Sequence, residues 1–416
     1  MNSSWQLKKF GECAELIRDT CLPDEVKAAP YIGLEHIEEG TLRLLEIGNT
    51  NDVISTKSRF EPGDILFGKL RPYFRKVVRP GFSGVCSTDI WVVRAKHSTD
   101  QGYLFYWMAS QEFVDSATQA SEGTKMPRAK WDFLERIEKP VPSFPEQRAI
   151  AHILGTLDDK IELNRQMNQT LETMAQTLFK SWFVDFEPFR HQGMQDSPLG
   201  EIPVGWKVGK LDEIATFVKG VSYRSDDLRE SDTALVTLKS IVRGGGYQHA
   251  GLKPYVGEYE SQQQLQPGEI IVAHTDLTQK AEVLGRVARV QAHPQFQTLL
   301  ASLDLVIVRP IEERASNEFL YGMLSRDEFK EHAYGYANGT TVLHLSTKAL
   351  PQYQSILPPF GIVDAFTKLV HPIYMLIDNN EAQTVILPDI RDTLLPKLLS
   401  GEIRAKDAEK FVEKAA

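Results

Sequence analysis

The chain has 416 residues, of which 42% are hydrophobic and 25% are charged. This length exceeds what one ordinary core supports, so we expect two or more domains. The formal net charge of −9 argues against a uniformly basic nucleic-acid binder. A local basic face would still allow DNA binding.

Cysteine usage and the start of the chain indicate the compartment. Cys13, Cys21 and Cys86 form no Cys-x-x-Cys pair, so we expect neither a zinc site nor a disulfide framework. Such sparse cysteines are typical of a reduced cytoplasm. The first ten residues lack the apolar segment of a signal peptide, and no apolar run approaches about 18 residues, so we expect no membrane span.

The sequence contains two copies of one unit. Trp206 follows Trp5 by 201 residues, whereas Asn380 follows Asn164 by 216. The offset drifts early and is constant late, which is typical of variable loops followed by a rigid helix. The matching segments include Pro62-Gly63-Asp64-Ile65 with Pro267-Gly268-Glu269-Ile270, Asp89-Ile90-Trp91 with Asp304-Leu305-Val306, and Gly123-Thr124 with Gly339-Thr340.

The first globular part, residues 1–144, carries short β-type runs between Pro-Gly and Gly-Gly turns, which predict a small mixed α/β domain. Its window 57–79 has seven basic and two acidic residues, and a second basic cluster follows Gly123-Thr124. On charge alone, a solvated strand-and-loop surface is the more ordinary explanation than DNA binding. The candidate DNA-binding residues here are Lys57, Arg59, Lys69, Arg71, Tyr73, Arg75, Lys76, Lys125 and Arg128.

A long helix is predicted within residues 145–190, where Pro145 and Glu146 suit a first turn. With Ile150 at heptad position a, the apolar stripe is wider than a strict coiled-coil seam. Row a holds Ile150, Leu157, Asn164, Leu171 and Leu178; row d holds Ile153, Lys160, Met167, Met174 and Ser181; row e adds Leu154, Ile161, Ala175 and Trp182.

The second globular part, residues 191–359, predicts another small α/β domain with weaker candidates for DNA contact. A basic stretch precedes a polar loop, and their charge density is lower than in the window 57–79. The candidates are Lys280, Arg286, Arg289, Thr340, Thr341 and His344.

A second long helix is predicted within residues 360–416. Its row a holds Phe366, Ile373, Asn380, Leu387 and Leu394, and its row d holds Leu369, Leu376 and Ile390. We expect Pro372, Pro388 and Pro396 to kink or break it. A helix this long cannot bury its stripe against one small domain, so we expect the two helices to pair antiparallel. Asn164 and Asn380 would then either face each other and fix the register, or remain solvated.

The resemblance to a known family rests on several segments. They are Gly63-Asp-Ile-Leu-Phe-Gly-Lys69-Leu-Arg71-Pro72-Tyr73, Pro145-Glu-Gln-Arg-Ala-Ile150-Ala, Leu157-Asp-Asp-Lys-Ile161-Glu-Leu-Asn164, Leu178-Phe-Lys-Ser-Trp182-Phe-Val-Asp185-Phe and Arg391-Asp-Thr-Leu-Leu-Pro396-Lys-Leu-Leu-Ser-Gly401. They resemble the specificity (S) subunits of type I restriction–modification systems, over nearly the whole chain and in duplicate. The second unit departs from the pattern, because His274-Thr275-Asp276-Leu277 replaces Lys-Leu-Arg-Pro-Tyr.

The resemblance implies two pseudo-symmetric small α/β target-recognition domains separated by two long helices that form an antiparallel coiled-coil-like pair. Each domain would read one half of a bipartite, asymmetric double-stranded DNA site, and the helices would set the spacer length. Two modification (methyltransferase) subunits would dock on the helices, and restriction subunits would complete this phage-defence complex in the cytoplasm of a bacterium or archaeon. The candidates for docking are Trp182, Phe183, Phe186 and Leu398, which would equally suit an intrachain core.

Two alternatives belong to other functional classes. One is an enzyme that modifies or cleaves DNA by itself, but Leu357-Pro358-Pro359-Phe360 lacks the Asn of an amino-methyltransferase motif, and we find no Gly-rich cofactor loop or ATP-binding loop. The other is a protein-interaction scaffold that binds no DNA. We therefore expect a chain without catalytic residues, metal or cofactor, whose partners carry S-adenosylmethionine, ATP and Mg²⁺.

Overall fold

The computed structural model describes residues 5–26, 28–123, 125–276, 281–339 and 342–408. The chain forms two compact units, Met1–Glu162 with Leu387–Ala416 and Leu163–Ile386. Each unit therefore combines one globular part with segments of both long helices. The sequence pattern predicts four consecutive segments, 1–144, 145–190, 191–359 and 360–416. The compact units have different bounds, because their boundaries fall inside the two long helices.

Within the described residues, the first unit contains two antiparallel sheets and one mixed sheet, with helices packed against them. In sheet order, its four-stranded sheet is Ala14–Ile17, Ile90–Ala95, Ile65–Gly68 and Val77–Val78; its five-stranded sheet is Thr20–Cys21, Lys57–Phe60, Gly84–Ser87, Pro30–Ile32 and Gly48–Asn49; a third sheet pairs Gln6–Lys9 with Glu138–Val141. The short helices are Phe10–Cys13, Gln101–Ala109, Gln111–Gln119 and Trp131–Leu134.

The second unit repeats this topology. Its four-stranded sheets are Ala215–Lys219, Leu305–Pro310, Ile270–Ala273 and Val287–Arg289, and Lys253–Pro254, Thr233–Val236, Thr298–Ala301 and Gln264–Leu265; the remaining sheets are Lys207–Lys210 with Gln354–Leu357, Met194–Ser197 with Gly200–Pro203, and Thr275–Asp276, Leu343–Leu345 and Ala337–Asn338. The short helices are Asn317–Leu324 and Asp327–Gly335.

Local sequence explains why the two copies fold alike. Gly63 and Gly268 have φ of +86° and +89°, a backbone conformation that glycine adopts without the strain a side chain would add. The strand that follows each glycine pairs antiparallel with the longest strand of its sheet. Arg94 and Arg309, on those longest strands, form the equivalent ion pairs to Asp64 and Glu269. The duplication seen in the sequence is therefore a duplication of structure.

The long helices are Phe144–Phe183 and Phe360–Ser400. Within each unit their segments run antiparallel: Asp158 contacts Arg391 in the first, and Asn164 and Phe179 contact Gln383 and Phe366 in the second. Rows a and e form the buried seam, including Ile150, Leu154, Leu157, Ile161, Ala175, Phe366, Val370, Leu387, Leu394 and Leu398. Along each helix, successive residues of the seam are therefore separated alternately by four and by three positions. These two rows of side chains face the partner helix.

Much of row d lies outside this seam in the second unit. Met167, Met174, Leu369 and Leu376 are exposed by 37%, 49%, 46% and 51%. The prediction of one broad buried stripe is therefore wrong at these positions. We call these four residues the d-row stripe.

The second long helix is continuous, so the prediction that its prolines break it is wrong. Each proline removes one backbone hydrogen bond, at a cost of about 3 kcal/mol. Large apolar neighbours are buried on both sides, among them Val370 and Tyr374 around Pro372, and Leu394 and Leu398 around Pro396. Burying each such side chain contributes about 1.5–3 kcal/mol, which offsets the loss.

This helix also contains an 18-residue window with a mean hydropathy of 1.3, enough by length and composition to cross a membrane. Its apolar side chains Val363, Phe366 and Val370 are buried within the second unit. They belong to the core cluster that also contains Phe319 and Phe183. Packing within the chain therefore accounts for part of the apolar character of this helix, because 28% of that window is buried.

Candidate nucleic-acid interface

Two basic segments that are far apart in sequence meet at one edge of the first unit. The amide of Ala129 donates to the carbonyl of Lys69 at 2.9 Å, and the amide of Arg71 donates to the carbonyl of Pro127 at 2.8 Å. The amide of Lys69 in turn donates to the carbonyl of Asp89 at 2.9 Å. The two basic clusters identified in the sequence therefore form one surface.

The side chains on this surface are mostly exposed and basic. Arg128 forms a two-pronged ion pair with Asp89 at 2.9 and 3.2 Å, and the guanidinium of Arg71 donates to the carbonyl of Lys125 at 3.3 Å. Lys69 lines an open concave surface with Arg18 and Arg128. We define the basic surface as Arg18, Lys69, Arg71, Lys125, Arg128 and Lys130.

One member of the basic surface, Arg18, was missed in the sequence, whereas Lys130 belongs to the basic cluster predicted after Gly123-Thr124. Arg18 follows the edge strand Ala14–Ile17, and Lys130 pairs with Glu122. Nothing in the local sequence separates Arg18 from an ordinary solvated arginine, because sheet pairing alone brings it near Lys69. Tyr73, a sequence candidate, is 49% exposed and contacts Phe74 edge-on.

Three predicted DNA-binding residues are engaged inside the first unit, so the prediction is corrected for them. Lys57 is only 3% exposed; its ammonium donates to the carbonyl and hydroxyl of Ser55, both at 2.7 Å, and burial lowers its pKa. Arg75 donates to the carbonyl of Ala109 at 2.7 Å and pairs with Asp392, and Lys76 donates to the carbonyl of Leu34 at 2.7 Å. A charge count over the window 57–79 cannot separate these inward-facing side chains from exposed ones.

Arg59 is neither engaged inside the first unit, as Lys57 is, nor a member of the basic surface. Its guanidinium lies 3.3 Å from a carboxylate oxygen of Glu25, and both side chains are about half exposed. Its backbone belongs to the strand Lys57–Phe60, and its side chain is not among those that line the concave surface with Lys69. Arg59 therefore remains a candidate, but it does not belong to the basic surface.

The second unit has the same backbone frame with different side chains. The amide of His274 donates to the carbonyl of Asp304 at 2.8 Å, and the amide of Leu345 donates to the carbonyl of His274 at 2.9 Å. These bonds repeat those that Lys69 makes with Asp89 and Ala129. Thr275 lies opposite His344 in an antiparallel pair, as Leu70 lies opposite Arg128.

The other candidates of the second unit have different outcomes. Lys280, Thr340 and Thr341 lie outside the described residues. Arg286 is mostly buried, lines a polar cavity beside Tyr247 and Arg289, and approaches Asp327 at 3.6 Å. Its side chain lines that cavity, and neither His274 nor His344 is among the residues that line it. Arg289, another sequence candidate, is 8% exposed and pairs with Asp378, so the prediction is corrected for it.

The helix-pair asparagines are both buried, with exposures of 0% for Asn164 and 4% for Asn380. The amide of Asn164 donates to the backbone carbonyl of Asn380 at 3.3 Å and to Gln383 at 3.0 Å. The amide of Asn380 donates to Asn168 at 2.9 Å. Of the two alternatives left open by the sequence, solvation is therefore wrong, while a role in fixing the register stays a prediction.

Of the four residues predicted to dock a partner, Phe183, Phe186 and Leu398 are buried in the chain's own cores, and the half-buried Trp182 packs against one of them. Phe183 and Phe186 contact Trp206, and Trp182 contacts Phe366 and Phe189. Leu398 is fully buried in the core of the first unit. The prediction of an outward docking face is wrong for these residues, and the intrachain core, which the sequence left open, is what the structure shows.

Comparison with known proteins identifies the family. Residues 2–173 match the family model of the type I restriction modification DNA specificity domain. The specificity subunit of the type I restriction enzyme MjaIX from Methanocaldococcus jannaschii is 31% identical over 309 residues, which cover 73% of this chain and 69% of that protein. The chain belongs to the type I restriction specificity subunits.

Other members extend the similarity along the chain. The HindI specificity subunit of Haemophilus influenzae is 28% identical over 416 aligned positions, covering 86% of this chain and 90% of that protein. The crystal structure of the type I restriction-modification S subunit from M. genitalium has a TM-score of 0.59 and 18% identity, covering 96% of this chain and 97% of that one. The fold shared with that structure is the mixed α/β arrangement with two long helices. This specificity subunit is thus a DNA-recognition protein, as its sequence predicted.

Proposed function

We propose that the two globular parts of this specificity subunit each read one half of a bipartite, asymmetric DNA site. The observation that carries the proposal is the backbone frame shared around Lys69 and His274, which presents different side chains in the two parts. A common frame supports a common role, and different side chains support different half-site sequences. Arginine contacts to guanine contribute roughly 1–3 kcal/mol of discrimination each, whereas phosphate contacts add affinity without sequence choice.

The helix pair sets the spacer between the half-sites in this proposal. A 40-residue helix is about 60 Å long, and half-sites on one face of B-DNA lie about 34 Å apart or at multiples of that distance. The helical conformation of both segments supports the proposal, because a helix has a defined rise per residue and a flexible linker does not. Shortening both helices should therefore change the spacer that is accepted and leave the half-site sequences unchanged.

The modification subunits dock, in this proposal, on the d-row stripe. Met167 and Met174 are seven residues apart on one helix, as are Leu369 and Leu376 on the other, so each pair lies on a single helix face. Their exposure contrasts with that of Leu398, which is fully buried, and large exposed apolar patches mark interaction sites. Two modification subunits would bind, and restriction subunits would join the larger complex.

The chemistry of the complex is assigned to these partners. We propose that S-adenosylmethionine, ATP and Mg²⁺ bind to partner subunits, and that this chain acts in the cytoplasm without catalytic residues of its own. Membership of the specificity-subunit family supports a recognition role. Within the described residues, no group of three or more His, Cys, Asp or Glu side chains is placed to hold a metal ion.

The experiment that tests the proposal maps methylation in cells carrying the complete system. A methylated motif split into two unlike halves by a fixed spacer is the expected result. In parallel, the purified chain should copurify with a modification subunit. DNA methylation or cleavage by this chain alone would contradict the proposal, and so would a single uninterrupted motif.

A further inference from the structure

Three equivalent positions surround the shared backbone frame in the two units. In the first unit they hold Arg18, Lys69 and Arg128, which line one concave surface. Sheet register identifies the counterparts in the second unit. Ile17 pairs with Val92, so the next residue is Arg18; in the second unit Val218 pairs with Ile307 and is followed by Lys219.

The other two counterparts follow from the hydrogen bonds described above. His274 makes the backbone bonds of Lys69, and His344 takes the strand-pair place of Arg128. Three permanent cations in the first unit are thus replaced by one lysine and two imidazoles. The equivalent aspartates of the two units also have different partners. Asp89 forms an ion pair with Arg128, whereas Asp304 accepts a hydrogen bond from the hydroxyl of Thr275 at 2.8 Å.

We propose that Lys219, His274 and His344 are the DNA contacts of the second globular part, and that its two histidines make recognition of one half-site depend on pH while recognition of the other does not. This inference rests on the proposed function and assigns residues to its second half-site. At neutral pH an imidazole offers one hydrogen-bond donor and one acceptor, which suits contact with base edges. When protonated, both ring nitrogens donate, and the ring can pair with a phosphate.

The groups facing His274 favour its neutral form in the free protein. Burial is the largest cause of its lowered pKa, and Lys219 from the edge strand and His344 from the neighbouring strand act in the same direction. Asp304, in the turn before the longest strand, opposes them. A DNA phosphate beside these rings would favour their charged forms, so binding should be coupled to proton uptake and should strengthen as the pH is lowered.

The test uses the full chain and a fluorescein-labelled DNA duplex of arbitrary sequence, with binding followed by anisotropy at about pH 7.5 and about pH 5.5, on either side of the imidazole pKa. Wild-type affinity should rise at the lower pH. The dependence of log K on log salt should steepen by up to about 1.8, since each phosphate contact contributes about 0.9. The variant His274→Asn/His344→Asn should not show this steepening.

The matched control is Lys69→Ala/Arg128→Ala, which should bind more weakly at both pH values and keep the wild-type pH response. A pH response that persists in the histidine variant would overturn the inference. If that double variant does not fold, His344→Asn alone serves, because His344 is exposed. The steepening should then fall to half of its wild-type size.

Methylation mapping separates failure of this inference from failure of the proposed function. In the complete system, the histidine variant should alter or relax one half of the motif, and the Lys69/Arg128 variant should alter the other half. A split wild-type motif that the histidine variant leaves unchanged in both halves would overturn the inference alone. A wild-type motif that is not split would overturn the proposed function as well.

Discussion

Asn380 binds the side chain of Asn168 and not that of Asn164: its amide nitrogen lies 2.9 Å from the Asn168 side-chain oxygen. Asn164 instead donates to the backbone of Asn380 and to Gln383. Asn168 then donates to a carboxylate oxygen of Glu381 at 2.7 Å. A polar network, and not a single facing pair, occupies this part of the helix seam.

Replacement of Asn380 by Leu should destabilise the chain by about 1–3 kcal/mol, because the buried side-chain oxygen of Asn168 loses its donor. The double variant Asn168→Leu/Asn380→Leu removes both groups and should recover part of that loss. Urea unfolding of the two single variants and the double variant measures the coupling between them. Strictly additive losses would show that the two amides do not interact.

The same network predicts a role in register. If it fixes the register, Asn164→Leu/Asn380→Leu should yield mixed oligomers or an altered spacer in the methylated motif, as loss of a buried polar seam residue can do. Light scattering and motif mapping report the two effects. Unchanged stability, oligomeric state and spacer would remove the register hypothesis.

Arg391 should be among the most costly residues to replace in the first unit. It is 1% exposed and donates to Asp158 at 2.6 Å and to Asp392 at 3.0 Å. Arg391→Leu leaves these carboxylates without that partner, and we expect a loss of about 3–5 kcal/mol in unfolding free energy. Arg148→Leu, at an exposed position of the first long helix, is the control and should change stability by less than about 0.5 kcal/mol.

Protonation of Asp392 should account for part of the stability that the first unit loses at low pH. Burial tends to raise its pKa, but hydrogen bonds from Arg75 and Arg391 outweigh burial and lower the pKa below its ordinary value. The carboxylate therefore stabilises the fold above about pH 3.9, and this contribution is lost as the pH falls through the lowered pKa. The stability gap between wild type and Asp392→Asn should narrow below about pH 3.9 in acid titrations followed by circular dichroism. A gap that widens there would show that the pKa is not lowered.

The basic surface should govern non-specific DNA affinity. Lys69→Ala/Arg71→Ala should weaken binding and lower the salt slope by about 1 for each phosphate that the variant no longer binds. Lys76→Ala is the contrasting variant, because its ammonium is engaged by the carbonyl of Leu34. It should leave the salt slope unchanged, and equal slopes for all three proteins would place the DNA elsewhere.

Polar substitution of the d-row stripe should separate folding from assembly. Met174→Ser/Leu376→Ser should change unfolding free energy little, since surface replacements are usually within about 0.5 kcal/mol. It should nevertheless weaken copurification with the modification subunit. Leu199→Ser, at an exposed position in the turn of a hairpin, is the matched control. Undiminished copurification would exclude the stripe as a docking surface.

Several features could be predicted from the sequence because they depend on local pattern. The long helices follow from their heptads, and the duplication follows from matched segments at a constant offset. The exposure of Met167 and Leu376 could not be predicted, because rows d and e are both apolar and only tertiary packing selects between them. Likewise, Lys57 and Lys69 have the same charge in the sequence, yet tertiary packing buries Lys57 and leaves Lys69 partly exposed.

The two units differ in the order in which their residues are synthesised. The second is one continuous stretch, Leu163–Ile386, whereas the first needs Leu387–Ala416 in addition to Met1–Glu162. Domains generally fold as their residues emerge, but Ile150 and Leu157 gain their partners Leu394 and Leu398 only after all of Leu163–Ile386 has been synthesised. The globular part of the first unit is therefore translated before the second unit and completed after it. Until then its apolar helix face is open to chaperones and to nascent copies of the same chain.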